Sequence, residues 1–140
     1  MGQTVALERV VLDTNVLVCA LLFTGTSNRL VPLWQGGKFQ LLASSDMIRE
    51  YARVLSYSKF KLTEEDLRSI LEEDVLPFVT PVRVGAFSGV IKEDPSDDKF
   101  LACAIRGKAD AVVSGDQHLL KLKIFHRIPI MGLRSFLDHF

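Results

Sequence analysis

Val10-Val11-Leu12 is apolar at every position and is followed at once by Asp13. A strand without polar alternation has to be covered on both faces, which is the situation of a central strand in a parallel sheet between helices. The rest of the chain repeats that alternation. Short β-branched runs are separated by longer amphipathic segments, as in βαβ units. Asp13 therefore stands at the carboxyl end of a buried strand, where open parallel sheets place their ligand sites.

Five strands are expected, over Val10 to Leu12, Phe39 to Ala43, Phe78 to Val84, Ala111 to Val113 and Arg127 to Ile130. Pro81 places the third at the sheet edge, because proline donates no ladder hydrogen bond. The first helix is expected over 16–22. A second, over 27–35, carries Leu30, Leu33 and Trp34 on one face and ends at Gly36-Gly37, with Pro32 marking a kink or break. Ser44 or Ser45 caps a helix to about Leu55 whose stripe is Met47, Ile48, Tyr51, Val54 and Leu55. Thr63 with Asp66 opens another that stops near Pro77. Asp94 as cap and Pro95 in the first turn begin a helix ending at Gly107. A short helix over 116–122 and a helical tail over 133–140 complete the chain.

With 140 residues, 48% of them apolar, one sizeable core is expected and two are not, so residues 1–140 are read as a single domain. Seventeen basic residues balance seventeen acidic ones, which excludes a general positive field for polyanions; nucleic acid would have to be gripped locally. Cys19 and Cys103 lie in apolar runs without metal-binding spacing and are expected as small core residues. The apolar stretch Val16 to Phe23 is far short of the ~20 residues of a membrane span and lacks the flanks of a cleavable leader, so the cytoplasm is the expected compartment.

Four carboxylates fall where surface acids do not. Asp13 and Asp116 each follow a buried strand directly, Glu50 lies on the apolar stripe of its helix, and Asp98 heads the apolar row of Leu101, Ala102 and Ile105. Each has an ordinary explanation: Asp13 and Asp116 as helix caps, Glu50 paired with Arg49 or Arg53, Asp98 attracted by a helix dipole. Asp97 competes with Asp98. Together, four acids in one crevice with no base evidently assigned to them call for a hard divalent cation. Oxygen ligands suit Mg²⁺ or Mn²⁺, and such a site matches a phosphodiester substrate. His118, His126 and His139 offer no zinc spacing.

Val11-Leu12-Asp13-Thr14-Asn15-Val16, Ser44-Ser45 with Glu50 and Val54-Leu55, the segment Asp94 to Ala104, and Ala109 to Asp116 with Leu119-Leu120 occur in this order. In that order they resemble the PIN-domain family, in particular the ribonuclease toxins of prokaryotic toxin-antitoxin modules. The resemblance implies a three-layer α/β/α sandwich with a five-stranded parallel sheet. It implies metal-assisted RNA hydrolysis leaving 5′-phosphates, with Asp13, Glu50, Asp98 and Asp116 holding Mg²⁺ or Mn²⁺ and Asn15 and Ser114 supporting them. A homodimer and a cognate antitoxin are the partners it implies. Ser114 stands where many relatives carry Thr, and Pro32 and the loop from Arg83 to Glu93 match less closely.

Arg49, Arg53, Lys99, Lys121 and Lys123 lie near the acids in sequence and are candidates for RNA phosphates. A rival reading is a catalytically silent binding module using Trp34, Phe136 and Phe140 as a surface. A phosphatase would carry a second acid where Asn15 stands, and a receiver would need an Asp in the third strand. GxGxxG and GxxxxGK[ST] are missing.

Overall fold

A computed structural model describes residues 7–85 and 98–140. Six strands form one sheet: β1 (Arg9–Leu12), β2 (Gln40–Ala43), β3 (Val79–Pro81), β4 (Ala111–Val113), β5 (Ile124–Phe125) and β6 (Ile128–Met131), in the order β3-β2-β1-β4-β6-β5. All pairings are parallel except that of β5 with β6. The helices are α1 (Thr14–Leu22), α2 (Leu30–Gln35), α3 (Ser45–Leu55), α4 (Glu64–Ser69), α5 (Asp98–Arg106), α6 (Gln117–Leu120) and α7 (Leu133–Leu137). This is the expected three-layer α/β/α sandwich with five parallel strands; β5 is an antiparallel addition at one edge. No single helix among the described residues is long and apolar enough to cross a membrane.

Val10, Val11 and Leu12 are fully buried, as a strand covered on both faces must be. β1 lies between β2 and β4, so chain order reverses beside it; Leu12 is in register with Val113, and the acids that follow these strands emerge side by side. β3 is an edge strand, as Pro81 requires. Ser44 caps α3 through Met47 N–H, and Thr63 and Asp66 form a reciprocal capping box at α4.

Pro32 sits within α2, and the break falls just before that helix, where the 3-10 turn Thr26–Arg29 precedes it. After α4 the helix widens into a π segment, Ile70–Val75, followed by a 3-10 turn, Leu76–Phe78. The Asp74 carbonyl accepts from Trp34 Nε1 at 3.0 Å and Gln35 Nε2 at 3.3 Å, which fastens α2 to this segment. Trp34 and Phe136 are buried, Phe136 with its ring centroid 5.3 Å from that of Phe39. They are core residues and not the exposed surface expected of them. Phe140 is 47% exposed. Cys103 is buried, but Cys19 faces outward from α1, contrary to expectation, because the buried face of that helix is taken by Leu17, Val18 and Ala20.

Candidate functional site

Asp13 is held by both of its neighbouring elements. Its Oδ1 accepts the Val16 N–H at 2.9 Å, capping α1, while Oδ2 accepts the Ser114 hydroxyl and, at 3.3 Å, the Gly115 N–H. Its own N–H donates to Val113 O at 3.0 Å, which fixes the backbone against β4. Only 5% exposed, its carboxyl is pushed above the ordinary value by burial. Hydrogen bonds from Ser114, Val16 and Gly115 pull against that rise, and the charge of Asp116 adds to it.

Asp116 caps α6 by accepting the His118 N–H at 2.7 Å, and its own N–H donates to Ser114 Oγ at 2.9 Å. The cap reading and the strand-end reading are therefore both true of Asp13 and Asp116. Ser114 is fully buried, and its hydroxyl touches both neighbours.

Glu50 reaches the same place from α3, which is anchored at the end of β1 by the Tyr51 hydroxyl donating to Leu12 O at 2.7 Å. One Glu50 oxygen accepts the Thr14 hydroxyl; the other accepts the Lys99 ammonium at 2.5 Å and the Arg53 guanidinium at 3.4 Å. The expectation of acids without a base is corrected here, since Lys99 and Arg53 both partner Glu50. Arg49 instead bonds the exposed Asp46 at 2.9 Å. Lys99 is 49 residues from Glu50, so sequence neighbourhood could not pair them. Tyr51, expected as plain core, also holds the site; a tyrosine instead of phenylalanine beside Glu50 was the available signal.

Asp13, Asn15, Glu50 and Asp116 line one pocket of about 180 Å³, with Thr14 and Phe100 among the remaining walls. Asp98, first residue of α5, is 7% exposed and does not line it. Asp97 and the expected cap and start of that helix, Asp94 and Pro95, lie outside the described residues. Among the described residues no three acidic, histidine or cysteine side chains gather closely enough to hold a metal ion. In donor type the pocket fits a hard divalent cation: its carboxylates and amide offer oxygen, and a cation would relieve the burial of Asp13 beside Asp116. In spacing, Lys99 occupies one Glu50 oxygen and would have to leave it to admit the ion.

A family model described as PIN domain matches residues 9–118, a span from β1 into α6 that contains all four acids. Comparison with curated proteins gives no match.

Proposed function

The chain belongs to the PIN-domain family, a family of nuclease-type domains, and on that basis we propose that it is a metal-dependent endoribonuclease acting through Asp13, Glu50, Asp98 and Asp116. One observation carries this reading. Three separate segments bring Asp13, Glu50 and Asp116 to one pocket beside β1 and β4, where the sheet order reverses.

Asp13, Glu50 and Asp116, which line the pocket, with Asp98 added on the family resemblance alone, would hold Mg²⁺ or Mn²⁺; the ion when bound would polarise a phosphoryl oxygen and acidify a water. The chain's own groups supply the rest. Ser114 and Gly115 keep Asp13 oriented and favour its charged form. The Asn15 amide, on the pocket wall, can donate to a phosphate oxygen. Lys99, once it leaves Glu50, would provide a positive charge for the same phosphate and free a Glu50 oxygen for the ion.

The motif resemblance to toxin ribonucleases supports placing the protein as the toxin of a toxin-antitoxin pair. It would act in the cytoplasm as a homodimer restrained by its antitoxin. One observation favours a different reading, a silent binding module: Glu50 is already satisfied by Thr14, Lys99 and Arg53.

The two readings separate on a panel of structured and single-stranded RNAs incubated with Mn²⁺ or EDTA, beside Asp13→Asn. Mn²⁺-dependent cuts with 5′-phosphate ends that vanish in the variant are expected. An uncut panel, from a preparation stripped of copurifying partner and with a melting temperature indifferent to Mn²⁺, would establish the binding module instead.

A further inference from the structure

Next to the acidic pocket, and sharing Asn15 and Asp116 with it, lies a larger cavity of about 820 Å³. Val16 and Cys19 of α1, Thr26 and Ser27 of the 3-10 turn, Gln117 of α6 and Leu133 of α7 form its walls. That volume lies within the roughly 300–1,000 Å³ typical of small-ligand sites. Among the described residues no Lys or Arg lines it, so nothing there neutralises a phosphate. Val16 and Leu133 offer apolar cover, while two amides and two hydroxyls offer hydrogen bonds. A flat heteroaromatic ring needs both, cover for its faces and partners for its polar edge. His118, exposed at the rim, adds a ring on which such a group can stack.

We propose that this cavity seats one unstacked nucleobase of a single-stranded RNA whose phosphodiester lies in the acidic pocket, and so selects where the strand is cut. The inference rests on the nuclease reading for the neighbouring phosphate. It divides the labour between two adjoining spaces: the acidic pocket takes the backbone, which carries no sequence, and the neutral cavity takes the base, which does. Asn15 and Asp116 line both spaces, so the two adjoin directly.

Cys19 provides the probe. It is exposed and lines the cavity, whereas Cys103 is buried with its thiol pushed up to about 12, so N-ethylmaleimide reports on Cys19. In Mn²⁺ buffer with the Asp13→Asn protein, which leaves the strand whole, tetraribonucleotides should slow Cys19 labelling about tenfold near saturation, and the same tetramer with its bases removed should not. Filling the cavity with Ser27→Trp should abolish both this protection and any base preference in cleavage. The fold and metal site of that variant are checked separately by its melting temperature with and without Mn²⁺, since an ion bound at the acidic pocket raises it. Equal protection by the abasic tetramer, or no protection by any RNA, overturns the proposal; the latter result leaves the cavity to some other occupant, such as a protein segment. Base-dependent protection without any diester hydrolysis supports the seat and sinks only the nuclease reading.

Discussion

The Ser114 hydroxyl donates to Asp13 and accepts the Asp116 N–H, so one buried oxygen touches both residues that follow β1 and β4. Burial raises the Asp13 carboxyl above its ordinary 3.8, and the Ser114 hydrogen bond is the largest influence pulling it back. On the proposed function, cation binding needs the charged form, so activity should be present above the folded value and be lost as pH falls through it. Ser114→Ala removes a hydrogen bond to a charged group, about 1.5–3 kcal/mol, or about one to two pH units. The acid limb of the cleavage profile should therefore move to higher pH in Ser114→Ala and return in Ser114→Thr, which keeps the hydroxyl; superimposable limbs would reduce Ser114 to packing. The same shift has the opposite sign for stability. Because the folded value is raised, stability from this group is present below 3.8 and lost as pH rises through the folded value. Lys99 offers a second test, as the cation nearest Glu50. Lys99→Met should tighten Mn²⁺ binding about tenfold by isothermal titration, since two cations within bonding distance of one carboxylate repel. Weaker Mn²⁺ binding would contradict that role. The strand-end acids were legible because a polar residue straight after a fully apolar strand has few places to go. The Lys99 partnership was not, because it joins α3 and α5 through tertiary packing alone.

Elements with ordinary chemistry were readable, and those with unusual chemistry were not. Ser44, Thr63 and Asp66 announced α3 and α4 because capping uses the side chains found in the sequence. β5 escaped notice because its hairpin lacks the Asn-Gly or Asp-Gly signature: the two loop residues are His126 and Arg127, at φ 50° and 67°. Residues with a Cβ hold that left-handed conformation at a cost of about 1–2 kcal/mol each. Replacing the pair by Asn-Gly should thus stabilise the fold by about 1 kcal/mol after the entropy cost of the glycine, measured as a higher urea midpoint at constant slope. A lower midpoint would show that the His126 ring, 4.5 Å from that of Phe125, contributes more than the turn costs. The π segment Ile70–Val75 was equally hidden, since its apolar spacing suits a plain helix. What distinguishes it is the Asp74 carbonyl, which is taken by Trp34 and Gln35 from another element.

At the scale of the molecule, balanced charge and a reversal of strand order beside β1 fit a protein that meets its substrate at one place instead of along a surface. The buried core is continuous: Leu41 and Leu42 of β2, Val112 and Val113 of β4, Leu101 of α5 and Phe136 of α7 belong to one cluster, with Trp34 among them. Among the described residues that core has no internal division, so residues 1–140 should melt as one cooperative domain. The only tryptophan, Trp34, donates to the Asp74 carbonyl, so its fluorescence reports on the joint between α2 and the π segment. Urea unfolding followed by Trp34 fluorescence should coincide with unfolding followed by far-ultraviolet circular dichroism, with one midpoint and one slope. An earlier fluorescence transition would mean that α2 and the π segment come away from a surviving sheet. The acidic site, built on β1, α3 and β4, would then outlast that loss, and Mn²⁺ would raise the second midpoint and leave the first in place. In the single-domain case, Mn²⁺ bound at the acids would shift both signals together.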